Sequence, residues 1–178
     1  MPKFLEGNFY NPTKGNLNVK QVLEELVSYI LEKPENFYDI IVGCDSSSSE
    51  TPDFPLVVVA WRVGEGGRFF IKKINYKERI FSHWKQRILE EVLISCEFAL
   101  YLRENLENEF LQVLEKINGQ GKNVSPNWQF RYIHADIGER GQTRDMIKEI
   151  VGLIRGNGFE PKIKPESFVA STIADRYS

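Results

Sequence analysis

The chain has 178 residues, of which 42% are hydrophobic and 27% are charged, and this composition is typical of a folded globular protein rather than a disordered one. Its formal net charge is −2 and its pI is about 5.8, which excludes an overall positive field that would attract polyanions from a distance. Two cysteines, Cys44 and Cys96, are too few for a disulfide framework, and no segment has the apolar length of a signal sequence or a membrane span. We therefore expect a cytoplasmic protein that does not enter a membrane.

The first predicted element is a helix over residues 19–31, where apolar residues recur with helical spacing. Asn18 and Gln21 match a capping box at its start, and Pro34 ends it. We assign residues 1–37 to an N-terminal helical extension that packs on the main domain. The main domain is predicted to span residues 38–178.

Three predicted strands open the main domain. The first is a short β-branched run over residues 38–44 that ends directly before Asp45, a pattern typical of a buried strand. The second and third, over residues 56–63 and 68–75, are separated by a glycine-rich turn and form a predicted hairpin.

A long helical pattern then covers residues 82–116, and we allow for a break at residues 105–108 because helices beyond roughly 25 residues are unusual in globular domains. The fourth predicted strand, over residues 129–135, also ends directly before an aspartate, Asp136. A helix over residues 143–155 and a fifth strand over residues 159–164 follow. The final predicted helix opens at Pro165 and Ser167 and carries Asp175 in its last turns.

The order of these elements places two acidic residues side by side. The long helix crosses over the sheet, so that the fourth strand pairs in parallel with the first while the hairpin lies on the other side. Ligands of open α/β sheets bind beyond the carboxyl ends of the strands at such a point. Asp45 and Asp136 should therefore be separated by one strand spacing, about 4.8 Å at the backbone. Carboxylates that close repel each other, so either one is protonated or a hard cation such as magnesium lies between them.

A third carboxylate is expected from the long helix. Its apolar stripe faces the sheet, and Glu91 lies at the edge of that stripe near the strand ends. Glu90 points about a third of a turn away and Glu97 lies nearly two turns further along, so we prefer Glu91, with Glu97 and Glu90 as alternatives. Asp175 supplies a fourth carboxylate if the final helix packs back across the sheet.

These four positions resemble the ribonuclease H-like superfamily: an aspartate after a glycine at the end of the first strand (GCDS), a glutamate on the crossover helix, and aspartates after the fourth strand and on the last helix. More narrowly, the tail DIGERGQTRDMIKEIVGLIRGNGFEPKIKPESFVASTIADRYS is similar to the bacterial YkuK-type family of ribonuclease H-like proteins, and the likeness extends over residues 38–178. The resemblance implies a mixed α/β fold with five strands in the order 3-2-1-4-5, strand 2 antiparallel, flanked by helices.

The resemblance also implies a function. Asp45, Glu91, Asp136 and Asp175 would be both the catalytic residues and the ligands of two magnesium or manganese ions in a nuclease that hydrolyses phosphodiester bonds. Asp45 would bridge the ions, Glu91 and Asp136 would complete one site, and Asp175 would complete the other. The expected partner is nucleic acid, with RNA, DNA and hybrid as open alternatives and any oligomeric state allowed.

Basic residues near the predicted strand ends are candidates for substrate contacts. Arg140, Arg144 and Lys164 flank the expected crevice and could touch phosphate oxygens. A second basic stretch lies in and after the third strand, and it would meet several phosphates only if its members shared one face. Strand alternation argues against a single face, so a solvated edge strand is an equal interpretation. Its residues are Arg68, Lys72, Lys73, Lys77 and Arg79.

The sequence is compatible with two rival functions. Asp45-x-Ser47-x-Ser49 resembles the metal-dependent adhesion motif of von Willebrand A-type binding domains, but those domains continue directly into a helix, which the prolines at 52 and 55 disfavour here. The other rival keeps the ribonuclease H-like fold without catalysis and binds nucleic acid or protein as a scaffold. His134 shares a strand face with Asp136 and could be a ligand or proton shuttle, although we favour a packed strand histidine.

Overall fold

A seven-stranded mixed sheet forms the centre of the structure, a computed structural model that describes residues 1–177, so that Ser178 of the predicted domain lies outside the described residues. The strands are β1 (Phe9–Asn11), β2 (Gly15–Leu17), β3 (Phe37–Cys44), β4 (Asp53–Arg62), β5 (Gly66–Asn75), β6 (Asn127–Ala135) and β7 (Glu160–Lys162). The helices are α1 (Val19–Glu32), α2 (Trp84–Asn118) and α3 (Ile147–Gly156). Within residues 1–177, no helix has both the length and the apolar character needed to cross a bilayer.

The spatial order of the strands is β2-β1-β5-β4-β3-β6-β7. The five predicted strands correspond to β3 to β7 and keep the predicted order 3-2-1-4-5, with β4 antiparallel to β3 and β6 parallel to it. The predicted fold class is therefore confirmed. The loop after Asp45 leads directly into β4, without the helix that follows the motif in an adhesion-type domain.

The predicted number of five strands is wrong, because the N-terminal segment adds the hairpin β1–β2 to the edge of the sheet. Each of its strands has only three residues, too few for an alternating pattern to stand out in the sequence. Asn11 holds the turn between them, since its side-chain oxygen accepts hydrogen bonds from the backbone N–H groups of Thr13 and Lys14 at 2.9 and 2.8 Å. Gly15 has a φ of 73°, which favours glycine at this position.

Helices cover one face of the sheet. The predicted capping box of α1 is present, with Asn18 and Gln21 each accepting a backbone hydrogen bond from the other at 2.9 Å. The long helix α2 is unbroken over its 35 residues, so the break allowed at residues 105–108 does not occur. Buried side chains of α2, among them Phe98, Leu102 and Leu106, join those of α1 and β3 in the main core.

The opposite face is covered by the end of the chain. The predicted final helix is instead a π-helical turn (Val169–Ala174) followed by a 3₁₀ turn (Asp175–Tyr177). The predicted helix over residues 143–155 begins as a 3₁₀ turn (Gln142–Met146) before α3, and it packs on the other face in the main core. Val169 and Ala174 form a second core with residues of the sheet such as Ile41 and Val57. A Cβ added at Gly43 would lie 2.9 Å from the backbone nitrogen of Ala170, so only a glycine permits this close packing on β3.

Candidate active site at the carboxyl end of the sheet

Asp45 and Asp136 follow two neighbouring parallel strands, as the sequence predicts. The preceding residues, Cys44 of β3 and Ala135 of β6, are directly paired in the sheet. Burial raises the pKa of Asp45 to about 6, and the negative charges of Asp136 and Asp175 add to the rise while the Ser46 backbone opposes it. Three carboxyl groups therefore lie close enough at the end of β3 to affect one another's ionisation.

Glu91 of α2 is buried against this end of the sheet, with only 6% of its surface exposed. Its Oε1 accepts a hydrogen bond of 2.5 Å from the hydroxyl of Ser46. Burial raises the pKa of Glu91 well above its ordinary value, and the charges of Asp45 and Asp136 raise it further, whereas the Ser46 hydrogen bond lowers it. Glu91 thus belongs electrostatically with the two strand-end aspartates.

The alternative glutamates of α2 have other surroundings. Glu90 is buried but forms an ion pair with Arg79, with Nη1 2.7 Å from Oε2. Glu97 is exposed on the outer side of the helix. The charges of Asp45 and Asp136 raise the pKa of Glu91, which supports the preference for Glu91.

Asp136 has two differently situated oxygens. Oδ2 lies 3.0 Å from Nζ of Lys164, whose backbone N–H donates to the carbonyl of Ile137 at 2.8 Å. Oδ1 is buried and has no hydrogen-bond partner within residues 1–177. A buried carboxylate oxygen without a donor is costly, so this atom is suited to accept a cation or a proton.

Asp175 lies on the 3₁₀ turn at the end of the described chain and is exposed. Its charge contributes to the raised pKa of Asp45. The position of Asp175 depends on Gly43, because the π-helical turn just before it packs directly on the backbone of β3 there. We call Asp45, Glu91, Asp136 and Asp175 the acidic site.

The donor atoms of the acidic site are of the type that binds divalent cations. The donors are carboxylates, which hard cations prefer, and one of them has a buried oxygen without a partner. Among residues 1–177, however, no three His, Cys, Asp or Glu side chains are arranged as a complete ligand set. The donor types therefore fit magnesium or manganese, while the side chains would have to turn to coordinate one ion together.

Of the basic residues considered for substrate contacts, Lys164 contacts the acidic site and Arg140 lines a cavity with it. Arg140 and Lys164 line a cavity of about 630 Å³ together with Gly138 and Pro165. Arg144 does not line this cavity and is exposed on the 3₁₀ turn before α3. Lys164 is also the ion-pair partner of Asp136, a contact that sequence spacing did not indicate.

His134 is a packed strand histidine. Its Nδ1 accepts a hydrogen bond from the Val169 backbone N–H at 3.2 Å, and its ring packs edge-on against Phe168. Burial, followed by the charge of Lys162, lowers the pKa of His134 to about 4. The ring is therefore neutral near pH 7 and helps to fix the C-terminal turn on the sheet.

Ser46 is the residue of this site that the sequence did not single out. A serine after a strand-end aspartate is a common turn residue, so its type alone carries little signal. Its contact with Glu91 joins residues 45 positions apart, and only the packing of α2 on the sheet brings them together.

Comparison with known proteins gives two matches. A model of the Ribonuclease H-like family matches residues 21–178. A protein of Bacillus subtilis (strain 168) named "Uncharacterized protein YkuK" is 28% identical over 171 residues, which cover 96% of each chain. No solved structure matches the chain.

Proposed function

The chain belongs to the ribonuclease H-like family, and from this membership we propose that it is a nuclease that hydrolyses phosphodiester bonds at the acidic site. The observation that carries the proposal is the direct pairing of Cys44 with Ala135, because it brings the aspartates that follow them to one end of the sheet. Glu91 is buried against the same end, and its pKa responds to both aspartates.

Asp45, Glu91, Asp136 and Asp175 would hold two magnesium or manganese ions. When bound, such ions would activate water and offset the charge that develops on the leaving oxygen. The pattern of pKa shifts supports a central role for Asp45, because both Asp136 and Asp175 raise its pKa. The charges of Asp45 and Asp136 both raise the pKa of Glu91, which favours assigning these three carboxylates to the same metal ion.

The remaining residues of the site would orient the acidic groups and the substrate. The Ser46 hydroxyl holds one oxygen of Glu91 in place. Lys164 neutralises Asp136 in the free protein, and a cation at Asp136 would release its ammonium group to contact a phosphate oxygen. Arg140 lines the same cavity as Lys164 and would bind a neighbouring phosphate.

A catalytically silent scaffold is the second candidate function, and the ion pair between Lys164 and Asp136 favours it. A lysine can replace a metal ion as the partner of a carboxylate, and the described carboxylates do not form a complete ligand set as they stand. Such a protein would bind nucleic acid or protein at the same surface without cutting.

The experiment that separates these functions is a cleavage panel of RNA, DNA, hybrid and junction substrates with manganese or magnesium. Asp136→Asn should reduce cleavage by about a thousandfold or more, the scale of loss when one member of a catalytic group is removed. Its melting temperature should stay unchanged or rise, because the substitution removes a charge that repels Asp45 and Glu91 and loses only a half-exposed ion pair with Lys164.

Asp145→Asn is the matched control, since Asp145 is exposed on the 3₁₀ turn before α3 and outside the acidic site. Wild-type protein should also gain thermal stability on addition of manganese, and Asp136→Asn should lose most of that gain. Wild-type protein that shows neither cleavage of any substrate nor stabilisation by manganese would instead be the scaffold.

A further inference from the structure

A groove of about 760 Å³ lies between the N-terminal segment and the end of β5, and we call it the basic groove. The segments that line it are residues 3–8 and residues 72–79. Its cationic residues outnumber its two glutamates, in a chain whose net charge is −2. The cations are Lys3, Lys72, Lys73, Lys77 and Arg79, and the glutamates are Glu6 and Glu78.

Three of the five cations form hydrogen bonds or ion pairs within the protein. Lys72 Nζ donates to the carbonyl of Glu6. Lys3 Nζ donates to the carbonyl of Asn75 at 2.9 Å. Arg79 forms the ion pair with Glu90 described above. The walls of the groove are therefore fixed by contacts that already use these charges.

The other two cations have no such role. Lys73 and Lys77 are exposed, and within residues 1–177 neither side chain has a hydrogen-bond or ion-pair partner. Arg68, which the sequence grouped with them, lies at the opposite end of β5 and pairs with Glu25 and Glu32 of α1. The basic stretch of the sequence is thus divided, and only its later part faces the groove.

Lys73 lies across β4 from the acidic site. The Asp45 backbone N–H donates to the carbonyl of Pro55 at 3.4 Å, and Pro55 is paired with Lys73 in the sheet. Two strand spacings, about 10 Å, therefore separate Asp45 from Lys73 at the backbone. This distance is short enough for one nucleic-acid strand to lie at the acidic site and, a few nucleotides away, to contact Lys73.

We propose that the basic groove binds the phosphate backbone of a nucleic-acid strand, a few nucleotides away from the phosphate at the acidic site. The inference rests on the proposed function in taking the strand to pass over the acidic site. The fixed walls supply a preformed channel, and Lys73 and Lys77 supply the charges that phosphates would neutralise.

The test uses the double variant Lys73→Ala/Lys77→Ala and fluorescently labelled single-stranded RNA and DNA in EDTA, where binding is measured without cleavage. Binding should weaken about tenfold at low salt, and the slope of log affinity against log salt should decrease by about 1.4 because two phosphate contacts are lost. Lys116→Ala/Lys122→Ala is the matched control, because it removes two exposed lysines near the end of α2 and should bind as wild type does.

If the two double variants bound with equal affinity and equal salt slope, the proposal for the basic groove would be wrong. It would also be wrong if the wild-type protein bound neither oligonucleotide. The two proposals fail separately. Loss of binding in Lys73→Ala/Lys77→Ala with no metal-dependent cleavage by wild type would support the groove and reject the nuclease. Metal-dependent cleavage by wild type, with unchanged binding in Lys73→Ala/Lys77→Ala, would support the nuclease and reject the groove.

Discussion

The two ends of the sheet carry charged residues in opposite arrangements. At the end where β3 begins, cations and carboxylates alternate in a paired network of Lys14, Lys33, Arg62 and Arg68 with Glu25, Glu32 and Glu65. At the end where β3 finishes, carboxylates of the acidic site raise the pKa values of Asp45 and Glu91, and Lys164 pairs with Asp136. The same sheet therefore supports one cluster that is neutralised and one that is not.

The pKa values follow this difference. A hydrogen bond from Lys33 lowers the pKa of Glu65, while burial and neighbouring carboxylates raise the pKa of Asp45 to about 6. The paired network therefore stabilises the ionised form of its glutamate, whereas the acidic site opposes ionisation. Clusters that oppose their own ionisation are typical of sites completed by a ligand, which is the reason to place function at this end.

Asp45→Asn gives the largest expected change in stability. Because the pKa of Asp45 is raised from 3.8 to about 6, the folded state binds the proton more tightly, and this contribution to stability is lost as pH rises through that interval. In EDTA at pH 8, the substitution should raise the free energy of unfolding by up to about 3 kcal/mol. The gain should vanish below pH 4, as measured by urea denaturation across pH.

Manganese provides the control for this experiment, since a cation that neutralises the acidic site should stabilise wild type at pH 8 and not at pH 5. A variant that is less stable than wild type at pH 8 in EDTA would indicate that Asp45 has a structural partner instead.

Gly43→Ala should produce the next largest change. The added Cβ would lie 2.9 Å from the backbone nitrogen of Ala170, so the π-helical turn must move away from β3 at a cost of about 1–3 kcal/mol. Moving this turn also moves Asp175, so the pKa of Asp45 should fall toward its ordinary value, measurable by NMR titration.

Gly152→Ala is the matched control, because a Cβ at Gly152 of α3 meets no atom within 4 Å. In a helix this change should stabilise the protein by about 0.5–1 kcal/mol. If the two alanines had the same effect on stability, the close packing at Gly43 would not control the acidic site.

These residues show which parts of the molecule the sequence could predict. Each strand-end aspartate follows a local run of residues, so a pattern within a few positions locates it and the crossover rule then brings Asp45 next to Asp136. The hairpin β1–β2 has strands of three residues and leaves no such pattern.

Contacts between distant segments were harder to predict. The hydrogen bond between Ser46 and Glu91 and the ion pair between Lys164 and Asp136 depend on how elements pack, and neither pair is close in the sequence. The π-helical turn likewise depends on its close packing against Gly43, which helical periodicity does not encode.

Ser46→Ala should have a smaller effect that appears in catalysis. Loss of the hydroxyl removes the hydrogen bond that lowers the pKa of Glu91, so this pKa should rise further. The acid limb of the pH–rate profile should then move to higher pH, and maximal cleavage should fall about tenfold, as when a group that orients a metal ligand is lost. Ser46→Thr keeps the hydroxyl and should restore both, while exposed Ser48→Ala should change neither.

Glu65→Gln tests the paired network and should give the smallest change, opposite in sign to that of Asp45→Asn. Glu65 accepts hydrogen bonds from Lys33 and Asn36 at 2.7 and 2.9 Å, and its lowered pKa means that its stabilisation is present near neutral pH and lost as pH falls. The variant should therefore be slightly less stable than wild type at pH 8, with a difference that shrinks in acid and in high salt. Urea denaturation of both variants under the same conditions would show whether the two ends of the sheet respond to pH in opposite directions, and a shared direction would contradict the contrast drawn between them.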